Sequence, residues 1–483
     1  MPSELASLPF DPANPRAALA ALPQSPAVFA LYGADAHAEP YIGRTPNLRA
    51  RLERLLQPSA KHPRRLHLAG LVRRIEWRLT GSEFESLVVQ LDLLQKVHGT
   101  KCLERMHLRS PAFVRFLGGN PYPRIVVTHR PSQREADWAY GPFPSRAAAE
   151  RFSEEALKLF LLRRCTFDLS PDPGFPGCVY SEMKMCLAPC YKGCTDERYA
   201  EEAASVQSFL ATRGESRLVT LRTERDQASG ALEFESAAAL HAQVQRVEAV
   251  RALAAELVRP LSQLRAVILQ ASALPDEVAV FLFENGRLRG PAGFSTLGMR
   301  IQNEQSGSTS LFAQPVAIEP VPEAQGLAAA SEVVTRDQGF AGEGTSEQGN
   351  AGAKIDLSSS GDVLKGHDFS RAPTAAQFSG ALTPEATSAQ AAETATAAPR
   401  LPRGILEARL EAALAELSAP LGAPSPTLRQ GHLALLKRWY YRPEARRAGE
   451  IFFPDADGRW PVKSILRGVG RVAVKSMTDA RQD

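Results

Sequence analysis

The stretches PAVFALYG at residues 26–33 and PYIGRTPNLRARL at residues 40–52 decide the fold of the N-terminal part of this chain. PAVFALYG and the YIG of the second stretch are apolar and rich in strand-forming side chains, whereas NLRARL continues with leucines at helical spacing. We expect Gly43 to let the strand turn tightly into the helix. A further strand, IEWRLT, and a helix, FESLVVQLDLLQKV, come next. This order predicts a small α/β domain over residues 20–118.

The remaining sequence divides into five further segments. Helical patterns dominate up to about residue 258, strand-like runs with a hairpin signal at Asn285-Gly286 follow, and a long stretch rich in Ala, Gly, Ser and Thr cannot bury enough apolar surface to fold alone. The fold class is therefore α/β (α+β) and multidomain. The predicted segments are a helical cysteine-rich region (119–200), a helical hairpin (201–258), a small strand-rich region (259–322), a disordered linker (323–400) and a helical C-terminal segment (401–483).

Length and composition bound the class of protein. The 483 residues exceed what one compact core holds and predict two to four domains. A hydrophobic content of 44% with 23% charged residues is ordinary for a soluble protein. The chain has no run of about 18 apolar residues, and its N-terminus lacks the basic start and apolar core of a signal peptide. We therefore expect a cytoplasmic protein with no membrane partner.

Positive charge is concentrated in the first domain, although the net charge of the chain is only +4. Ten Lys or Arg residues lie from Arg44 to Arg78, against only Glu53 and Glu76. Such a patch is the electrostatic footprint of a polyanion site. A solvated charged surface is the alternative.

Five of the six cysteines lie in RRCTFDLSPDPGFPGCVYSEMKMCLAPCYKGC, residues 163–194. The first four are spaced by twelve, seven and three residues and are Cys165, Cys178, Cys186 and Cys190. Four thiolates in one compact loop rich in Pro and Gly can enclose a zinc ion or ligate an iron–sulfur cluster. Four reduced buried cysteines are the alternative, but so tight a group in a reducing compartment favours metal ligation.

The first domain resembles the GIY-YIG nuclease domain in its UvrC form, because the YIG at residues 41–43 matches outright and Val28-Phe29 stands where that family has an Ile/Val-Tyr pair. The resemblance implies an endonuclease that hydrolyses DNA phosphodiesters with Mg²⁺ or Mn²⁺. It implies that Tyr41 activates the attacking water and that Arg44 replaces a neighbouring lysine. Arg51 would bind the phosphate, because a guanidinium can donate two hydrogen bonds to it.

Two positions depart from the family pattern. Phe29 replaces the first tyrosine, so one hydroxyl is missing from the pocket. Gln90 stands where the family has the glutamate that holds the metal, and a neutral amide is a weak ligand for a hard cation. On a helical wheel Glu85 and Asp92 point away from Gln90, whereas Glu83 shares its face but lies about 10.5 Å along the axis. The resemblance favours an enzyme, and Gln90 leaves its activity open.

The cysteine group resembles the cysteine region of UvrC, where four cysteines that end in a CxAPC element, like residues 186–190, carry a [4Fe-4S] cluster. YGPFPS at residues 140–145 and LFLLRRC at residues 159–165 match the family's flanks. The resemblance implies a [4Fe-4S] cluster on the four cysteines, with zinc as the alternative. Cys194 is a candidate substitute ligand, and the remote Cys102 is expected in the core.

ALEFESAAALHAQVQRVEAV, residues 231–250, resembles the UVR motif, a helical hairpin through which UvrC docks on UvrB. The resemblance implies a UvrB-like partner bound through residues 217–252. The side chains expected at that contact are Phe234, Glu235, Ala238 and Leu240. The alternative is an ordinary amphipathic hairpin that packs within the chain.

The resemblance spans about residues 24–255 and implies a UvrC-type subunit that incises damaged DNA in nucleotide excision repair. The RNase H-like second nuclease and the helix-hairpin-helix segments of UvrC are not recognisable here, so truncated homologues such as Cho are the closer comparison. The alternative is a catalytically impaired UvrC paralogue that binds DNA or a UvrB-like partner without cutting.

Overall fold

Three antiparallel four-stranded sheets, each covered by helices, make up the described parts of the chain. The computed structural model describes residues 5–35, 37–57, 68, 70–299 and 401–479. The predicted linker over 323–400 lies outside these residues. No helix in the described ranges is long and apolar enough to cross a membrane. The mixture of helices and sheets confirms the predicted α/β (α+β) class.

The first sheet belongs to the N-terminal domain and has the strand order β1-β4-β2-β3. Its strands are β1 (Ala6–Pro9), β2 (Ala27–Gly33), β3 (Tyr41–Thr45) and β4 (Val72–Leu79). Its helices are α1 (Pro15–Ala20), α2 (Leu48–Leu56), α3 (Glu83–His98) and α4 (Cys102–Arg105). α1 and α2 bury Phe29 and Leu31 on one face, and α3 packs Val89 and Leu93 on Val28 on the other. The predicted order of strands and helices is confirmed.

The second sheet has the strand order β6-β5-β7-β8. Three of its strands come before the cysteine loop in the sequence, and β8 comes after it. Its strands are β5 (Ala112–Phe116), β6 (Ile125–Thr128), β7 (Ala139–Phe143) and β8 (Arg259–Pro260). The helices of this part are α5 (Arg146–Leu157), α6 (Val179–Glu182), α7 (Asp196–Ala211), α8 (Glu215–Gly230) and α9 (Phe234–Ala252). The prediction of a helical region over 119–200 is therefore incomplete, since β6 and β7 are strands too short to show a clear period.

The third sheet joins the strand-rich region to the C-terminal segment in the order β11-β10-β9-β12. Its strands are β9 (Ala266–Ala271), β10 (Glu277–Glu284), β11 (Arg287–Ser295) and β12 (Glu450–Phe452). The helices are α10 (Arg403–Ser418), α11 (Pro426–Tyr440) and α12 (Val462–Asp479). The predicted hairpin at Asn285-Gly286 is confirmed, with φ of 53° and 73° at these residues. The C-terminal segment is not purely helical, because it supplies β12.

Helix α11 connects this C-terminal segment to α3 of the first domain. α10 and α12 cover one face of the third sheet, and α11 covers the other together with α3. Trp439 of α11 lies with its ring centroid 5.4 Å from that of Phe84. A Cβ at Gly431 would come 2.8 Å from Cδ2 of Leu91, so the glycine permits the close approach of the two helices. The core therefore continues from the first domain into the C-terminal segment.

Candidate nuclease-like and cysteine sites

Phe29 and Gly43 face each other across β2 and β3. Phe29 is fully buried, and its ring centroid lies 6.1 Å from that of Tyr41. A Cβ at residue 43 would lie 2.8 Å from Cζ of Phe29, so glycine makes room for the phenyl ring. This corrects the expectation that Gly43 forms the turn into the helix. The chain turns after Thr45, the last residue of β3.

Tyr41 and Arg51 lie on the face of the sheet that α2 covers. Tyr41 packs, partly buried, against the cluster that contains Phe29 and Leu52. Asn47 caps α2, and its side chain accepts a hydrogen bond from the Ala50 amide at 2.9 Å. Within the described chain, neither the Tyr41 hydroxyl nor the half-buried Arg51 guanidinium makes a hydrogen bond or ion pair. Both polar groups are therefore available to a ligand.

Arg44 lies on the opposite face of β3, where α3 packs. Alternate residues of a strand point to opposite faces, and Arg44 stands opposite Val28 in the strand register. Its guanidinium lies 3.3 Å from Glu83 at the start of α3. The structure therefore separates Arg44 from Tyr41 and Arg51, which the resemblance assigns to the same pocket.

Gln90 is half-buried in the middle of α3, which runs along the edge strand β3. At one end of α3 Glu83 meets Arg44, and at the other His98 lies 3.2 Å from Glu39, just before β3. Gln90 lies between the side of α3 that packs on Val28 and the side that faces α11. In the described residues its amide has no hydrogen-bond partner, so it is not held as a core amide.

Two of the three acidic side chains of α3 accept hydrogen bonds from other groups, and the third is exposed beside a histidine. Glu83 accepts two hydrogen bonds from Arg442, at 2.7 and 3.0 Å, and this bond together with nearby arginine charges lowers the pKa of Glu83. Glu85 is buried and accepts from the Gly81 amide at 2.9 Å, and burial raises its pKa. Asp92 lies 3.9 Å from Nε2 of His432. None of these carboxylates replaces the glutamate missing at position 90.

The cysteine loop runs from the end of α5 to the start of α7 with little regular structure. Cys178 caps the single turn of α6, where its amide donates to Oγ of Ser181 at 2.9 Å. The Sγ of Cys186 accepts from the Ala188 amide at 3.3 Å. Nη1 of the buried Arg163 lies 3.5 Å from Sγ of Cys165 and also donates to the Phe167 carbonyl.

The four predicted thiols are neighbours. Burial, with smaller contributions from the charges of Cys165, Cys178 and Cys190, raises the pKa of Cys186 to about 11. Burial also acts on Cys178, but hydrogen bonds from Ser181 and Cys190 outweigh it and lower that pKa. All six cysteines are free thiols. In the described ranges, no three His, Cys, Asp or Glu side chains are positioned to hold a metal ion, so ligation would require these thiols to reorient.

The other two cysteines differ in their surroundings. Cys102 is fully buried in the core shared by α3 and α11, as predicted. Cys194 is half-buried beside the core of the second sheet, and burial raises its pKa. The charge of Cys190 also acts on Cys194, so Cys194 lies near the four predicted thiols, whereas Cys102 lies in a different core cluster.

The hairpin of α8 and α9 leaves its predicted partner-binding residues at the surface. Phe234 is 66% exposed; Glu235 and Ala238 are exposed as well, while Leu240 is half-buried against the core. The face that packs within the chain uses other α9 residues, among them Val244 and Val247. The exposed apolar side chain of Phe234 is therefore free to contact another molecule.

Sequence reasoning missed Arg442 as a residue of this region. Its contact with Glu83 spans 359 positions of the chain, and no local pattern signals such a pair. Part of the basic patch, residues 58–67, lies outside the described residues.

Comparison with known proteins finds similarity in the part of the chain that contains the cysteine loop. Residues 113–209 match the model of the UvrC/Cho excinuclease, middle domain. Among curated proteins the chain is 29% identical over 211 residues to the UvrABC system protein C of Alcanivorax borkumensis, covering 44% of this chain and 34% of that protein. The same protein of Pseudomonas protegens is 27% identical over 241 residues, covering 50% and 39%, and that of Ruminiclostridium cellulolyticum is 27% identical over 275 residues, covering 56% and 44%.

The chain thus spans less than half the length of these relatives. No solved structure gives a significant match. The matched family range contains Cys165, Cys178, Cys186 and Cys190 together with β5, β6, β7, α5 and most of α7. Residues 113–209 are therefore similar to the UvrC/Cho middle domain, and about half of the chain is similar to UvrABC system protein C.

Proposed function

We propose that this chain is a UvrC-type DNA repair subunit that acts in the cytoplasm, binds damaged DNA and docks on a UvrB-like partner. The match of residues 113–209 to the UvrC/Cho middle domain supports this proposal. It is also supported by the YIG strand that precedes this domain and by the exposed hairpin that follows it. We propose further that the N-terminal domain holds DNA without the metal-dependent cleavage of GIY-YIG nucleases.

One observation carries the second part of the proposal: position 90 is an amide, and Glu83, Glu85 and Asp92 each face another group. Mg²⁺ and Mn²⁺ prefer anionic oxygen ligands. Because a metal ion supplies charge stabilisation at the phosphoryl group, its loss costs more than loss of one oxyanion donor, which already costs about 10²–10³ in rate. Binding of DNA survives this change because it depends on cations, which this domain retains.

The second candidate function is a UvrC/Cho-like endonuclease with a remodelled metal site. Tyr41 and Arg51 favour it, because they lie on the same face of the first sheet without a competing partner among the described residues. A general base and a phosphate-binding guanidinium are the groups that phosphodiester hydrolysis needs besides the metal.

For the cysteine loop we propose a [4Fe-4S] cluster, with zinc as the alternative, held by Cys165, Cys178, Cys186 and Cys190. The charges of the other three thiols act on the pKa of Cys186, which supports these four residues as the ligands. The Ala188 amide also donates a hydrogen bond to the Cys186 sulfur, and thiolates that hold clusters or zinc accept hydrogen bonds of this kind. A bound group would supply folding free energy to a loop that has little secondary structure of its own. Arg163 would hold Cys165 in place.

For the partner we propose that residues 217–252 bind a UvrB-like protein through Phe234, Glu235, Ala238 and Leu240. The strong exposure of Phe234 supports this contact, because a large apolar side chain at a hairpin tip stabilises nothing inside the chain. The ion pair between Arg222 and Glu248, at 2.9 Å, joins the two helices and fixes the hairpin.

A plasmid-nicking assay with Mg²⁺ or Mn²⁺ tests the proposal, alongside a DNA-binding assay of the same protein. We expect the full chain to bind DNA at low salt and to nick it no faster than the Tyr41→Phe variant. Nicking by the wild type that Tyr41→Phe abolishes would instead establish the endonuclease. Absence of DNA binding at low salt would contradict both candidate functions.

A further inference from the structure

Three arginines from two distant parts of the chain surround Glu83. Arg44 comes from β3 and lies 3.3 Å from the carboxylate. Arg442 follows α11 and donates two hydrogen bonds to the carboxylate at 2.7 and 3.0 Å. Arg438, on the last turn of α11, is close enough for its charge to act on Glu83. The carboxylate thus contacts two guanidinium groups, and a third, on the adjoining turn of α11, adds its charge.

The charges at this place do not balance. Glu83 neutralises one unit of charge, so about two positive charges remain. The other carboxylate at this end of α3 does not compensate, because Glu85 is buried beside Arg78 at 3.8 Å, and Asp92 lies nine residues beyond Glu83 along the helix. The arginines reach solvent: the side chain of Arg44 is 37% exposed, that of Arg442 is 27% exposed, and Arg438 is exposed. A surface with this excess attracts a polyanion.

The arginines are also held in position before any ligand binds. α11 packs antiparallel to α3, since Gln95 near the end of α3 lies 3.3 Å from Ser425 at the start of α11. The hydroxyl of Tyr441 donates to the Pro142 carbonyl at 2.9 Å. The two hydrogen bonds to Glu83 then orient the guanidinium of Arg442. Side chains that are already ordered lose less entropy on binding.

We propose that Arg44, Arg438 and Arg442 form a phosphate-binding surface for the backbone of a nucleic acid, shared by the N-terminal domain and the C-terminal segment. Guanidinium groups match phosphate oxygens with paired hydrogen bonds. Arg44 lies three residues from Tyr41 on the same strand but points to the opposite face of the first sheet, so this surface is separate from the site of Tyr41 and Arg51. The inference rests on the proposed function as a DNA-binding protein and identifies which residues contact the backbone. Glu83 acts as a positioning residue that holds Arg44 and Arg442.

The test is the salt dependence of DNA binding by the full chain, measured with a labelled duplex over a range of NaCl concentrations. Each lost phosphate contact reduces the slope of log K against log salt by about 0.9. We expect Arg438→Gln to reduce the slope by about one such step and Arg438→Gln with Arg442→Gln by about two. Arg403→Gln is the matched control, because Arg403 is likewise exposed and ion-paired, to Glu407 at 3.0 Å, but lies on α10, across the third sheet from α11. Its slope should equal that of the wild type.

Glu83→Gln distinguishes a phosphate-binding surface from ion pairs that only stabilise the fold. Removal of the carboxylate leaves all three cations, so the variant should bind DNA at least as tightly as the wild type at low salt. If the ion pairs only stabilise the fold, Glu83→Gln and Arg442→Gln should lower the melting temperature alike and leave the slope of log K against log salt unchanged. That result, with a wild type that binds DNA, would overturn this inference alone. A wild type that binds no DNA would overturn the proposed function as well.

Discussion

The cysteine loop and the nuclease-like site differ in how completely they retain the groups that their chemistry needs. The loop has all four thiols, close enough to shift the pKa of Cys186, inside a range that matches the UvrC/Cho middle domain. The nuclease-like site keeps Tyr41 and Arg51 but has Phe29 and Gln90 at two positions where the resemblance implies a hydroxyl and a carboxylate. The strands and helices of a site can therefore be present without the carboxylate that the resemblance implies for metal binding.

Loss of one thiol should have the largest effect. Cys186→Ser removes the sulfur that accepts the Ala188 hydrogen bond, and we expect it to abolish stoichiometric iron or zinc in anaerobically purified protein, because a tetrahedral site or cluster needs all four thiolates. Absorption near 400 nm with iron and sulfide content identifies a cluster, and a colourless protein with one zinc identifies zinc.

Cys194→Ala is the matched control for this experiment and should leave the metal content unchanged. If Cys194→Ala loses the metal and Cys186→Ser retains it, the assignment of the four ligands is wrong. If neither the wild type nor the variants contain iron or zinc, the cysteine loop does not bind a metal, and the proposed difference from the nuclease-like site is wrong.

The hairpin after the cysteine loop carries the proposed partner-binding surface, on which Phe234 is exposed. Phe234→Ala should weaken binding of a UvrB-like protein by about 30-fold or more, as expected for an aromatic hot spot of about 2 kcal/mol. Isothermal titration calorimetry measures the affinity. Leu274→Ala serves as the control, because Leu274 is an exposed apolar residue between β9 and β10, outside residues 217–252. Equal affinities for the wild type and Phe234→Ala would show that the partner binds elsewhere.

The smallest expected effect concerns the two glutamates at the start of α3. The pKa of Glu83 is lowered in the folded chain, so its ion pairs stabilise the fold above the unfolded pKa, and this contribution disappears as the pH falls below about 4. Glu83→Gln should therefore reduce the free energy of unfolding at neutral pH, by about 0.2–1 kcal/mol for each exposed pair, and have no effect at low pH.

Glu85→Gln should show the opposite pH dependence. Burial raises the pKa of Glu85 in the folded chain, so its contribution is present at low pH and is lost as the pH rises through the folded pKa. Denaturant unfolding at a series of pH values measures both variants. Parallel pH profiles for the two would contradict the assignment of Glu83 to an ion pair and Glu85 to a buried site.

Local patterns predicted much of the fold and supplied the candidate site residues. The alternation and helical periodicity of the first domain, the turn chemistry of Asn285-Gly286 and the burial of Cys102 follow from neighbouring residues and are confirmed. The strand β12 was missed because three residues, EIF, carry no period. α12 lies within the segment 401–483 that was predicted to be helical.

The relations between distant residues could not be predicted from the sequence. Gly43 was expected to form a turn, but its role depends on Phe29 in the neighbouring strand. The contact of Glu83 with Arg442 depends on the packing of α11 against α3, which a sequence pattern does not encode. Arg44 was expected beside Tyr41, and only the alternation of β3 together with the position of α3 shows that the two side chains lie on opposite faces.

The nicking of supercoiled plasmid by Gln90→Glu in Mg²⁺ or Mn²⁺ tests the central claim most directly. Gln95→Glu is the matched control, because it adds the same charge to the same helix at a position that is likewise half-buried but lies beside Ser425 of α11. We predict that the wild type and Gln95→Glu stay at background, and that Gln90→Glu nicks at least about 10²-fold faster. Nicking by the wild type at the rate of Gln90→Glu, or no gain in Gln90→Glu, would contradict the claim that the carboxylate missing at position 90 separates this protein from a cutting nuclease.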